Sequence, residues 1–126
     1  MRADMFSDIA VFLDRDGTIN KIEETENPVF VTSYDKFEFY EDVAEAIKLL
    51  NRLGVKVIVV TNQPSVARGL CTEEDVENLH KAMTSDLKSK GAVVDAVYCC
   101  PHHPETHHKD IPKHAEKYRI DCICRK

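Results

Sequence analysis

What the sequence lacks narrows its reading first. It has no excess of basic charge: 17 Lys+Arg stand against 22 Asp+Glu, a formal net charge of -5 at pH 7. Nucleic acid and anionic membranes are bound by basic faces, so neither is expected as a partner. No apolar run approaches the roughly 20 residues that cross a bilayer, and the start Met1-Arg2-Ala3-Asp4 does not read as a secretory signal. Repeats and low-complexity tracts are missing, and nothing resembles a linker before residue 100. A single domain over residues 1–126 is therefore expected. At 43% hydrophobic and 31% charged, the composition is that of an ordinary globular chain rather than a disordered one. The cysteines number five, an odd count crowded toward the end of the chain. That argues for a cytoplasmic protein with reduced thiols, held by metal rather than by one another.

Periodicity supplies the elements. Ile9 to Leu13 is a continuous apolar run, which predicts a strand buried on both faces. From Asp42 to Leu53, Val43, Ile47, Leu50 and Leu53 fall at helical spacing, with Gly54 as the C-terminal cap. Val55 to Val60 is almost entirely β-branched and predicts a second strand. Thr72 then precedes Glu73, Glu74 and Asp75, an N-cap followed by acids where the helix dipole favours them. Val76, Leu79, Met83 and Leu87 carry that helix to Gly91, and a third strand is expected over Val93 to Cys99. Strands alternating with helices imply an α/β fold with a parallel sheet, right-handed crossovers and a ligand site beyond the strands' carboxyl ends. The long connection from Ile19 to Tyr40 contains Val29-Phe30-Val31 and Phe37-Glu38-Phe39, which read as a small hairpin over that site.

Chemistry gathers at the strand ends. Asp14 and Asp16 are two apart after an apolar strand, so in extended chain they share a side, and Gly17 permits the turn that follows. Two acids held close can divide labour, one ionised and nucleophilic, the other raised in pKa and able to give a proton to a leaving group. Thr61 and Asn62 follow the second strand and are neutral donors suited to phosphate oxygens. Cys100-x-His102 and Cys122-x-Cys124 offer three thiols and an imidazole in two short clips, the donor set of a closed, tetrahedral Zn2+ site. The stretch between them is polar and poor in core residues, so a metal tie over residues 100–124 is expected to order it. His103, His107, His108 and His114 are expected in solvent, and Cys71 and Cys99 as ordinary buried or half-buried thiols.

The string Phe12-Leu13-Asp14-Arg15-Asp16-Gly17-Thr18-Ile19-Asn20 resembles the first motif of the haloacid-dehalogenase (HAD) superfamily of aspartyl phosphatases. The resemblance implies that Asp14 forms an aspartyl-phosphate and that Asp16 serves as acid for the leaving alcohol and base for water. It also implies Mg2+ on the Asp14 carboxylate and the Asp16 backbone carbonyl, because a carboxylate meeting a phosphate dianion needs its charge offset. Thr61-Asn62-Gln63 resembles the second motif, whose hydroxyl holds the phosphoryl group, although Pro64-Ser65 departs from the usual Ser-Gly. The two clips resemble the zinc loop of the D-glycero-D-manno-heptose 1,7-bisphosphate phosphatases and their histidinol-phosphatase relatives. In that subfamily Arg125 would contact substrate phosphate and Lys126 would be the third motif.

The resemblance thus implies a three-layer, Rossmann-like HAD fold without a large cap domain, monomeric at full length, acting on a small phosphorylated sugar. It further implies a fourth, acidic motif on a strand beyond Lys126. The expectation is accordingly an N-terminal portion whose C-terminal strands are missing and whose first strand is left as an exposed edge. The competing expectations are histidinol phosphate as substrate, or an inactive zinc-stabilised module.

Overall fold

Three parallel strands set the frame: β1 (Ala10–Leu13), β2 (Lys56–Asn62) and β3 (Ala96–Cys100), in the order β1-β2-β3. In this computed structural model the described residues are 5–22, 30–104 and 112–125. Helix α1 (Val43–Arg52) joins β1 to β2, and α2 (Glu73–Ser89) joins β2 to β3. Both helices pack on one face of the sheet. Leu13, Val57, Val59 and Val97 meet Ile47 of α1 and Met83 and Leu87 of α2 in one core, with Ile19 and Ala92 closing it.

Local chemistry explains where the elements begin and end. Thr72 and Asp75 form a reciprocal capping box at the start of α2: Asp75 N donates to Thr72 Oγ1 at 3.0 Å, and Thr72 N donates to Asp75 Oδ2 at 2.8 Å. Those bonds hold the Asp75 carboxyl below its ordinary pKa. α1 turns into β2 through Gly54, whose φ of 81° few other residues adopt. β3 starts at Ala96 rather than at Val93 because side chains occupy the preceding backbone. Asn51 Nδ2 donates to Val93 O at 3.0 Å and Asn51 Oδ1 accepts from Val93 N at 2.8 Å, while Asp95 Oδ2 accepts from Val57 N at 2.8 Å. β2 runs on past Val60, since Thr61 and Asn62 pair with Cys99 and Cys100.

Two expectations are corrected. β1 is not buried on both faces, which is what the apolar run alone predicts: it is an edge strand among the described residues, as the resemblance implies, and Phe12 is 62% exposed. Phe12 sits opposite Ile58 on the face away from the helices, where Tyr98 of β3 is also exposed. No helix layer covers that face among the described residues. The hairpin between β1 and α1 does not form among the described residues either; Val29 lies outside them. Instead a 3-10 turn at Tyr34–Lys36 leads into Phe37-Glu38-Phe39, and Phe39 makes a single bridge to Asn20. Tyr34 stacks on Phe37 and Phe37 meets Phe39 edge-on, with ring centroids 5.3 and 4.9 Å apart. Tyr34 Oη donates to Asp86 Oδ2 at 2.8 Å, so this aromatic cluster is fastened to α2.

Candidate active site and cysteine–histidine cluster

The carboxyl ends of β1 and β2 bring the first two motifs together. Beyond Leu13 the chain wraps around one carbonyl: the backbone N–H groups of Thr18, Ile19 and Asn20 all donate to Arg15 O, at 3.2, 2.8 and 3.2 Å. Gly17 takes φ 82° inside this turn. Asp14 is half-buried, and its Oδ1 accepts from Arg15 N at 2.8 Å.

Asp16 is held on both oxygens. Its Oδ1 accepts from Arg15 Nε at 3.1 Å, Arg15 Nη2 at 2.8 Å and Asn20 Nδ2 at 3.1 Å. Its Oδ2 accepts from Gln63 Nε2 at 2.9 Å, and the same Nε2 donates to Thr61 Oγ1, also at 2.9 Å. Gln63 therefore ties the Asp16 carboxylate at the end of β1 to the Thr61 hydroxyl at the end of β2. Thr61 and Gln63 are buried, while Asn62 is half-buried. Pro64 to Gly69 then fold as consecutive turns, and Ser65 is wholly buried with its Oγ accepting from Cys71 Sγ at 3.4 Å.

Three residues of this site carry no motif role in the sequence reading: Arg15, Gln63 and His80. Arg15 is a charged side chain with no solvent exposure, lying beneath the Phe37 ring at 5.9 Å. It donates from Nη1 to His80 Nε2 at 3.1 Å, across 65 residues of sequence. His80 is itself buried, and burial followed by the Arg15 charge lowers its pKa to about 4. An acceptor toward arginine must be a neutral imidazole nitrogen, which agrees with that direction.

The second cluster lies just past β3. Cys100 Sγ sits 3.8 Å from His102 Nδ1, 3.4 Å from Cys122 Sγ and 3.2 Å from Cys124 Sγ. Cys124 Sγ is 3.5 Å from Cys122 Sγ and 3.2 Å from His102 Nδ1. Zn–S and Zn–N bonds of ~2.3 and ~2.0 Å set tetrahedral edges of roughly 3.5–3.8 Å. The four ligand atoms, all within 4.8 Å of one another, fit such an ion closely, and the soft donor set is compatible with zinc. All five cysteines are free thiols. Burial opposes ionisation of Cys122, but hydrogen bonds from Cys100, Cys124 and backbone N–H groups bring its pKa down to about 6. Burial pushes Cys100 up to about 12. Cys71 is buried and Cys99 half-buried, as expected. His114 is exposed, whereas His103 is half-buried and its backbone N–H donates to Tyr118 O at 3.0 Å. His107 and His108 lie outside the described residues.

The loop between the clips is not merely tied at its ends. Its 3-10 segment, Lys113–Tyr118, seats Ala115 and Tyr118 against the turns that follow Gln63. Tyr118 packs with Val66, Ala67, Cys71 and Val76, and Arg119 Nε donates to Ala67 O at 3.1 Å. At Gly69, φ 74°, an added Cβ would come within 2.5 Å of Pro112 Cδ. Arg125 is exposed, and Lys126 lies outside the described residues. Among the described residues no helix is long and apolar enough to cross a membrane.

A parallel sheet with paired aspartates after its first strand and a hydroxyl–amide pair after its second defines a HAD-type phosphatase fold. The chain belongs to the polynucleotide kinase 3 phosphatase family, whose model matches residues 8–119. It is 39% identical over 117 residues to a D-glycero-beta-D-manno-heptose-1,7-bisphosphate 7-phosphatase of Escherichia coli O6:H1, covering 93% of this chain and 55% of that protein. A crystal structure of D,D-heptose 1,7-bisphosphate phosphatase from B. bronchiseptica, complexed with magnesium and phosphate, superposes with a TM-score of 0.73 at 31% identity. That match covers 94% of this chain and 56% of the other. A putative HAD-like phosphatase from Mesorhizobium loti gives the same TM-score at 30% identity, covering 94% and 51%. The chain spans about half the length of the curated relatives it matches.

Proposed function

We propose that this chain carries the nucleophile and phosphoryl-binding half of a metal-assisted phosphatase acting on a small phosphorylated sugar, as one domain over residues 1–126. The preferred substrate is D-glycero-D-manno-heptose 1,7-bisphosphate, hydrolysed at the C7 phosphate. The reading rests on one observation above all, the Gln63 amide that joins Asp16 to Thr61 beside Asp14.

Asp14 attacks phosphorus, forming a P–O bond to its carboxylate as the ester P–O bond breaks. Asp16 gives its proton to the departing sugar oxygen. Asp16 then takes a proton from water, whose oxygen attacks the aspartyl-phosphate, freeing inorganic phosphate and regenerating the Asp14 carboxylate. Thr61 and Asn62 supply neutral donors to the phosphoryl oxygens, and Arg125 and Lys126 supply positive charge. The Asp14 carboxylate and the Asp16 carbonyl are oxygen donors of the kind Mg2+ takes, and the ion would offset the repulsion between carboxylate and phosphate. Cys100, His102, Cys122 and Cys124 hold Zn2+ in a structural role.

The family description names a polynucleotide phosphatase. A net charge of -5 favours a small substrate over a phosphate backbone, which is bound through basic groups. The same charge disfavours nucleic acid and anionic membranes as partners, and the proposal further takes the protein to be cytoplasmic and monomeric at full length.

The test is phosphate release from heptose 1,7-bisphosphate and from histidinol phosphate, assayed side by side with Mg2+ on the full-length protein; residues 1–126 alone should release little or none. Release from C7 of the heptose is expected. Faster release from histidinol phosphate would reassign the substrate, and release from neither would contradict the reading.

A further inference from the structure

We infer that Arg15 and His80 are positioning residues that fix the carboxylate of Asp16, a role resting on the assignment of Asp16 under the proposed function. The geometry is one-sided. Asp16 Oδ1 is the target of three N–H donors, Arg15 Nε at 3.1 Å, Arg15 Nη2 at 2.8 Å and Asn20 Nδ2 at 3.1 Å. Oδ2 meets the Gln63 amide, which faces Thr61 across the strand ends. The carboxylate is thus oriented with Oδ1 turned into the protein and Oδ2 turned toward the hydroxyl of the second motif.

Arg15 can impose this only because its own position is fixed. A guanidinium on a flexible stem does not hold a partner to a fraction of an ångström unless its remaining donors are spoken for. Nη1 donates to His80 Nε2 at 3.1 Å and Nη2 donates to Val31 O at 3.3 Å, while the Phe37 ring lies 5.9 Å from Cζ. The side chain has no solvent exposure, so these contacts do not compete with water. His80 sits on the buried face of α2 with Val76, Leu79, Met83 and Leu87, where a leucine would satisfy the core equally well. An imidazole there has a purpose as an acceptor. It couples the first motif to a helix whose residues touch neither motif by sequence.

The test compares the full chain with His80→Leu, which removes the acceptor, and His80→Gln, which can return one through Oε1. Two readouts are taken on the same preparations: the Arg15 Nε–H resonance with its hydrogen-exchange rate, and kcat and KM on heptose 1,7-bisphosphate with Mg2+. A misoriented carboxylate lowers kcat by about tenfold while KM stays within about twofold, because substrate binding is untouched. His80→Leu should also speed exchange at Arg15 Nε–H, and His80→Gln should restore both readouts. Wild-type kcat in a folded His80→Leu chain, or an unaltered Arg15 resonance, would overturn the inference. A wild-type chain without turnover counts against the proposed function, and the resonance then decides alone. Its loss in His80→Leu with return in His80→Gln supports the positioning role, and its persistence in His80→Leu overturns it.

Discussion

The Tyr118 hydroxyl donates to Glu73 Oε2 at 2.7 Å, joining the loop between the two metal clips to the first turn of α2. With Arg119 on the Ala67 carbonyl and Tyr118 among Val66, Ala67 and Val76, the loop is docked on the turns that follow Gln63. Order at the cysteine–histidine cluster is therefore transmitted toward the strand ends rather than confined to the loop.

Removing metal should accordingly loosen more than the clips. One zinc per chain is expected on metal analysis, and structural zinc of this kind contributes roughly 10–16 kcal/mol in apparent terms. A strong chelator, with thiols kept reduced, should lower the thermal midpoint and change tyrosine emission, which is readable because the chain has Trp 0. A zinc-free chain with the same midpoint and the same emission would contradict the docking account.

Gly69 tests the docking from the other side. Gly69→Ala would place a Cβ in a left-handed backbone, φ 74°, and 2.5 Å from Pro112 Cδ. Gly91 has φ 85° but meets only the flexible end of Lys48, at 3.5 Å. Left-handed backbone costs about 1–2 kcal/mol per residue, and overpacking adds about 1–3. Urea unfolding should show Gly69→Ala more destabilised than Gly91→Ala, and equal losses would mean that Pro112 does not press on Gly69.

His80 makes the fold acid-sensitive in a defined window. Burial and then the Arg15 charge lower its pKa to about 4, from an ordinary 6.5. Between those values the unfolded chain binds a proton that the folded chain refuses, so stability falls as pH drops from 6.5 toward 4 and changes no further below. Over the whole window this is about 3 kcal/mol, and about 2 of it by pH 5. Unfolding free energies at pH 7 and pH 5 should fall more steeply for wild type than for His80→Gln, in which this proton is absent. Parallel profiles would show that His80 is not held neutral.

The strand and helix order was legible because it depends on spacing: Val43, Ile47 and Leu50 at helical intervals, and Val55 to Val60 without interruption. The paired aspartates and the two metal clips were legible for the same reason, since their ligands are close in sequence. Arg15 was not. Its position between two acids carries no signal that it is buried, and its partner is a histidine 65 residues away. The signal that existed was His80 itself, a polar residue on the apolar stripe of α2. The Phe37-Glu38-Phe39 alternation is real, in that both rings pack on the core while Glu38 is exposed, but among the described residues it has no partner strand beyond the bridge at Asn20. An apolar run such as Ile9 to Leu13 looks the same at the centre of a sheet and at its edge, so the run alone reads as buried on both faces, and only the family resemblance pointed to the edge at which Phe12 is exposed.

The account stands most directly on Asp14. Phosphate release from heptose 1,7-bisphosphate with Mg2+ should be measured on the full-length protein for wild type and for Asp14→Asn, alongside mass analysis for a phosphoryl group on residue 14. Loss of the nucleophile removes the covalent route, so turnover should fall by at least about a thousandfold and the adduct should vanish. Full turnover in Asp14→Asn would contradict the aspartyl-phosphate mechanism.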